Sequence, residues 1–172
     1  MNKPPLLALL AALLFPPGGS AADFTFLRPC ARANAIGTAF ATVTGDACAV
    51  FYNPANLTTL ANLEVRLETG RRLALAAPEG EVSLAYIRPA PDVANKVAGL
   101  GYYSVRQKGG SGIDSMVFSL GNRAVIKYLQ KPVFYGAGVK IMSLRGLEKS
   151  HLGLGVEGGV QLENTAGLRT SL

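Results

Sequence analysis

From Asn62 onward the chain alternates between two kinds of residue. Leu152, Leu154, Val156, Val160 and Leu162 share one parity, with Gly158 among them; His151, Gly153, Gly155, Glu157, Gly159, Gln161 and Glu163 share the other. Val133, Tyr135, Ala137, Val139 and Ile141 oppose Phe134, Gly136, Gly138, Lys140 and Met142 in the same way. A period of two sends alternate side chains to opposite faces of a strand. One face of these strands is therefore apolar and the other is small or polar. A sandwich buries its apolar faces against each other. A membrane barrel turns the apolar face to lipid and keeps the small or polar face inside.

The alternating text falls into runs. Leu63–Thr69 and Arg72–Ala77 lie around Gly70-Arg71, and Glu81–Arg88 follows a turn at Pro78-Glu79-Gly80. Then come Lys96–Arg106, Ile113–Leu120 (ended by Gly121-Asn122), Ala124–Leu129, Val133–Leu144 and Leu152–Glu163, with a further start at Leu168–Leu172. Each break carries Gly, Pro, Asn or Asp, as turns require. Three runs, Lys96–Arg106, Val133–Leu144 and Leu152–Glu163, exceed ten residues, which suits tilted membrane strands of about 9–11 residues better than soluble strands of about 5–6. Hydrophobic residues make up 49% of the 172-residue chain and charged residues 16%. No stretch reaches the roughly 18 apolar residues that a membrane helix needs. The 20 glycines suit bends and close backbone approach within strands.

Residues 1–22 read as an export signal. Asn2 and Lys3 precede an apolar run, Leu6–Phe15, which Pro16–Gly19 breaks; Ser20-Ala21-Ala22 is a small-residue cleavage site, making Asp23 the expected mature N-terminus. Residues 23–61 form a separate segment, and 62–172 hold the strands. Ala31–Thr42 favours a helix, too small and too weakly amphipathic to be stable alone. Ala47–Tyr52 reads as extended. Asn53-Pro54 bends that extension towards the first strand, because a residue before proline is pushed to β or polyproline geometry.

Within this segment Ala31, Arg32, Ala33, Gly37, Ala39 and Phe40 are followed by Asp46, Ala47, Ala49, Tyr52, Asn53, Pro54, Ala55 and Leu57. This pattern resembles the N-terminal signature of the FadL/PorV-type outer-membrane barrels. Later strands, such as Glu81–Pro89 and Tyr135–Met142, are similar to those of PorV-like members but generic. The resemblance implies an all-β fold: an antiparallel transmembrane β-barrel with a short N-terminal hatch helix. About 110 residues follow the hatch, room for roughly eight strands, whereas the family's barrels have about fourteen; the expectation is the N-terminal part of a larger barrel. The hatch would be the gate, with Ala35, Ile36, Phe40, Phe51, Tyr52, Asn53 and Pro54 as ligand-binding or gating residues. Lys140, Glu157 and Gln161 would be polar residues facing the lumen. The partners implied are outer-membrane lipid and either small hydrophobic molecules, which would cross the outer membrane, or the proteins of a secretion system. The transport role predicts an apolar pocket against Ala35–Phe40. A soluble or surface β protein used for adhesion or structure is the reading from a different class.

Enzyme chemistry finds little to stand on. The single histidine, His151, starts a strand beside a turn, and no spacing of His and Cys suggests a zinc site. No G-x-S-x-G elbow occurs. Gly153–Gly158 matches G-x-G-x-x-G, but inside an alternating strand rather than at a strand-to-helix turn. Lys/Arg residues are not clustered among aromatics, despite a formal charge of +6, so nucleic acid is not an expected partner. No cofactor or metal is expected. Cys30 and Cys48 allow one intramolecular pairing, which an exported compartment permits; the alternative is two unrelated small apolar residues.

Overall fold

A computed structural model of the chain describes residues 29–37, 39–73, 78–90, 95–107, 110–126, 131–146, 150–163 and 169–171. The export signal, the start of the 23–61 segment up to residue 28, and parts of the runs at 72–77, 124–129 and 168–172 lie outside the described residues.

Seven strands form one antiparallel sheet in sequence order: β1 Glu64–Leu73, β2 Pro78–Pro89, β3 Lys96–Arg106, β4 Gly112–Ile126, β5 Lys131–Arg145, β6 Ser150–Glu163 and β7 Arg169–Ser171. The sheet is open, with β1 and β7 at its edges. Period-two text and short connections lead to this up-and-down order, since antiparallel neighbours need only tight turns. Six strands are 10 to 15 residues long.

Three expected breaks are absent. β1 runs through Gly70-Arg71, β4 runs through Gly121-Asn122, and Pro78-Glu79-Gly80 opens β2 instead of turning. Gly121 pairs with Val97 on one side and Gly136 on the other, so here glycine continues a ladder. Its small size serves another purpose, taken up below.

The N-terminal segment lies against one face of the sheet. It contains α1 (Ala31–Ala35) and two 3-10 helices, η1 (Ala47–Phe51) and η2 (Pro54–Thr59). The expected helix over Ala31–Thr42 is shorter than its text allowed. Gly37 takes φ +66°, a left-handed conformation that ends a helix readily. The expected extension over Ala47–Tyr52 is instead helical. Asp46 caps η1 by accepting from Cys48 N at 2.9 Å, and Asn53 caps η2 by accepting from Ala55 N at 3.0 Å. Pro54 sits at the first position of η2, where its missing N–H costs nothing. Asn53-Pro54 therefore starts a second helix rather than delivering the chain to β1.

η1 touches β1 to β4 and η2 touches β3 to β6. The core is the layer between them. Phe40, Val50, Phe51 and Leu57 meet Ala85, Ile87, Val97, Tyr103, Val105 and Val117 there. These sheet residues share the parity opposite to the apolar rows described next.

On the other face the cross-strand register lines apolar residues into rows. Val65, Tyr86, Leu100, Phe118, Val139 and Val156 form one; Leu67, Leu84, Tyr102, Met116, Ile141 and Leu154 form the next. Most of these side chains are exposed, Val156 at 86% and Leu154 at 74%. Val133, expected on this face, is buried at 8% near the start of β5. Among the described residues no helix is long and apolar enough to cross a membrane.

Candidate functional site

The N-terminal segment packs on one face of the sheet, and for that position alone it is called the plug below; glycines in the sheet make room for it. A Cβ at Gly101 would stand 2.5 Å from the Phe51 ring, and one at Gly99 would stand 2.9–3.1 Å from Ile87, Val50 and Leu57. At Gly136 it would meet the Pro54 carbonyl carbon at 2.6 Å, and at Gly121 the Pro54 oxygen at 2.8 Å. At Gly159 it would overlap the Asn53 side chain. Gly121, Gly136 and Gly159 are direct register partners across β4, β5 and β6. They form a flat strip on which the start of η2 rests. Gly155, on the same face, has nothing nearer than 3.7 Å.

Asn53 and Asn56 hold the plug's own chain. Asn53 Nδ2 and Asn56 Nδ2 both donate to Ala41 O, at 2.8 and 2.7 Å, and Asn56 Nδ2 also donates to Val43 O at 2.9 Å. They tie the loop after α1 to η2. Tyr52 Oη donates to Pro29 O at 2.6 Å, and its ring lies 5.2 Å from that of Phe40.

Ionic contacts fasten the other end. The Asp46 side chain is 1% exposed, and its Oδ2 accepts from Arg32 Nη1 at 2.9 Å and from Arg66 Nη1 at 2.8 Å. Arg66 Nε donates to Glu68 Oε1 at 2.6 Å, and Glu68 Oε2 accepts from Ala31 N at 2.6 Å. Glu64 Oε1 accepts from Ala47 N at 3.2 Å. A buried carboxylate is tolerable only when paired and hydrogen-bonded, and Asp46 has three donors. Cys30 and Cys48 form a disulfide, with an S–S distance of 2.01 Å, which joins the start of α1 to η1. Their sulfurs lie close to a Glu68 oxygen, but both are bonded to each other. The cluster is a staple with one carboxylate beside it.

The expected site residues separate into two groups. Phe40, Phe51, Asn53 and Pro54 are buried at the plug–sheet contact, and Tyr52 is half-buried. Ala35 and Ile36 are exposed, Ile36 at 44%; the early end of α1 leaves them outside this contact. A cavity of about 430 Å³ opens beside the start of α1, lined in part by Glu68, Thr69, Glu81, Ser83 and Tyr103. That lining mixes these polar groups with Cys30, Ala31 and Leu67, and it does not include Ala35–Phe40, where the apolar pocket was expected.

Lys140, Glu157 and Gln161 all lie on the plug-side parity of β5 and β6. Lys140 and Glu157 form an ion pair. Gln161 is fully buried, and among the described residues its amide has no hydrogen-bond partner. His151 is exposed.

Sequence reasoning missed the Asp46–Arg66–Glu68 group and the glycine strip. An Asp two residues before an N–H it can cap is a readable signal. Glycines at every second position of one parity are another, though nothing in the text says what they make room for. The chain has no match among family models, curated proteins or solved structures.

Proposed function

We propose that this chain forms the wall and internal plug of an outer-membrane β-barrel that controls the passage of small hydrophobic molecules. One observation carries the reading. The packed core lies on the glycine-rich face, while the apolar parity of six strands forms aligned rows on the exposed face. A soluble sandwich would do the reverse. Monomeric soluble proteins rarely leave contiguous apolar patches beyond a few hundred Å² uncovered. Lipid is the solvent in which this arrangement is stable. A bilayer does not tolerate unpaired sheet edges, so the reading also requires the outer edges of β1 and β7 to be paired in the working molecule. Export through residues 1–22 would deliver the chain to that membrane.

The plug would act as the gate, because it covers the face that becomes the lumen. In cells, the protein is expected to sediment with outer membranes and to need detergent for release; recovery in the soluble periplasmic fraction would overturn the reading. Uptake of an apolar solute should rise when the plug is loosened by Cys30→Ala with Arg32→Ala. A second reading has its own support: the plug is held by a disulfide, an ionic cluster and a shaped seat, and a fixed plug suits a barrel that serves as a partner in protein secretion. Unchanged uptake in the loosened variant would favour that role.

A further inference from the structure

The exposed face is not uniform. A groove of about 490 Å³ crosses β3, β4 and β5 near the end where β3 begins. Two registers of outward side chains border it: Lys96, Asn122 and Tyr135 on one side, and Ala98, Leu120 and Ala137 on the other. Its floor is backbone at Val97, Gly121 and Gly136. The row beyond the alanines is bulky, with Leu100, Phe118 and Val139. Between the polar row and the large apolar row, Ala98 and Ala137 leave low ground on either side of exposed Leu120.

The polar row is arranged to meet an anion. Asn122 Nδ2 donates to Tyr135 Oη at 2.8 Å. A phenol hydroxyl that accepts this bond still has its own proton to give. Lys96 is exposed beside it, and exposed Arg88 is the register partner of Ala98 at the groove's other margin. Lys96 opens β3, so a strand that crosses a bilayer holds it near headgroup depth, where Tyr and Lys are favoured.

We propose that this groove holds one anionic glycerophospholipid, and the inference rests on the membrane reading above. The phosphate sits between the Lys96 ammonium and the Tyr135 hydroxyl. One acyl chain lies over Ala137, against Leu120, towards Phe118 and Val139. Charge and shape both select this occupant: one side of the groove is polar, with the Lys96 cation, and the other is apolar, with Leu120 and Ala137.

The test uses the full chain inserted in phosphatidylcholine vesicles, then extracted in mild detergent with phosphatidylglycerol or phosphatidylcholine and weighed by native mass spectrometry. Flotation with the vesicles reports insertion separately. One phosphatidylglycerol is expected to remain bound in preference to phosphatidylcholine, and inorganic phosphate should not displace it. Lys96→Ala should lower retention about fivefold, the weight of one basic side chain at an anionic surface. Tyr135→Phe should lower it less, and Ala137→Phe, which fills the groove with an apolar ring, should abolish it without changing flotation. Equal retention of the two lipids overturns the proposal, as does indifference to both Lys96→Ala and Ala137→Phe in protein that still floats. Wild-type protein that fails to float at all overturns the membrane reading, and the lipid slot falls with it.

Discussion

Gly136 shows what single residues do here. Its missing side chain lets the Pro54 peptide lie directly on β5. Gly136→Ala would drive a Cβ into backbone, which cannot swing aside as a side chain end can. The expected cost is about 1–3 kcal/mol, the usual range for overpacking, read as a lower denaturant midpoint. Gly155→Ala, with no neighbour nearer than 3.7 Å, should be close to neutral in the same measurement. Asp46 is the ionic counterpart. Asp46→Ala removes the acceptor for two arginines and orphans the Cys48 N–H. Both arginines are partly exposed and can turn to water, so the dominant loss is the buried cap, about 1–3 kcal/mol. If Asp46→Ala were as stable as the parent, the cluster would be ornamental to the fold.

At the scale of elements, the plug divides into parts fastened in different ways. η1 and η2 are held by burial against the glycine seat. α1 has five residues, only Ala33 buried among them, and depends on the disulfide and on Arg32 and Ala31 reaching Asp46 and Glu68. A bridge spanning 18 positions contributes about 3 kcal/mol by restricting the unfolded chain. Reduction should therefore speed amide exchange over Ala31–Ala35 strongly and over Val50–Leu57 little. Equal acceleration in both would show that the plug opens as one body. The strands were legible from alternation alone, because parity is a property of the text. The plug was not. Ala47–Tyr52 has too few polar residues to choose between extended and helical backbone, and its helix exists because Asp46 and Asn53 cap it and the sheet covers it. The breaks at Gly70 and Gly121 were misplaced for a related reason. Glycine marks a turn in an isolated strand, but Gly70 pairs with Glu81 inside the ladder and Gly121 makes room for Pro54, distant in sequence.

For the whole molecule, the decisive question is what the apolar rows face. If they face lipid, the two parities of one strand live in different solvents. Val156→Arg, and likewise Val139→Arg, then places a charge against hydrocarbon and should cost about 2–4 kcal/mol near the bilayer midplane. If they face water, Val156 is a surface residue at 86% exposure, and the same change should fall within about 0.5 kcal/mol. Gly155→Arg supplies the control from the opposite parity, where a Cβ would meet Lys140 and Met142 only at ordinary contact distance, 3.7 and 3.8 Å. The measurement is folding into phosphatidylcholine vesicles against denaturant, with each variant compared to the parent. A large loss at Val139 and Val156 beside a small one at Gly155 is expected. Equal tolerance on both parities would remove the barrel assignment and leave an open sheet whose exposed apolar face must find a protein partner instead.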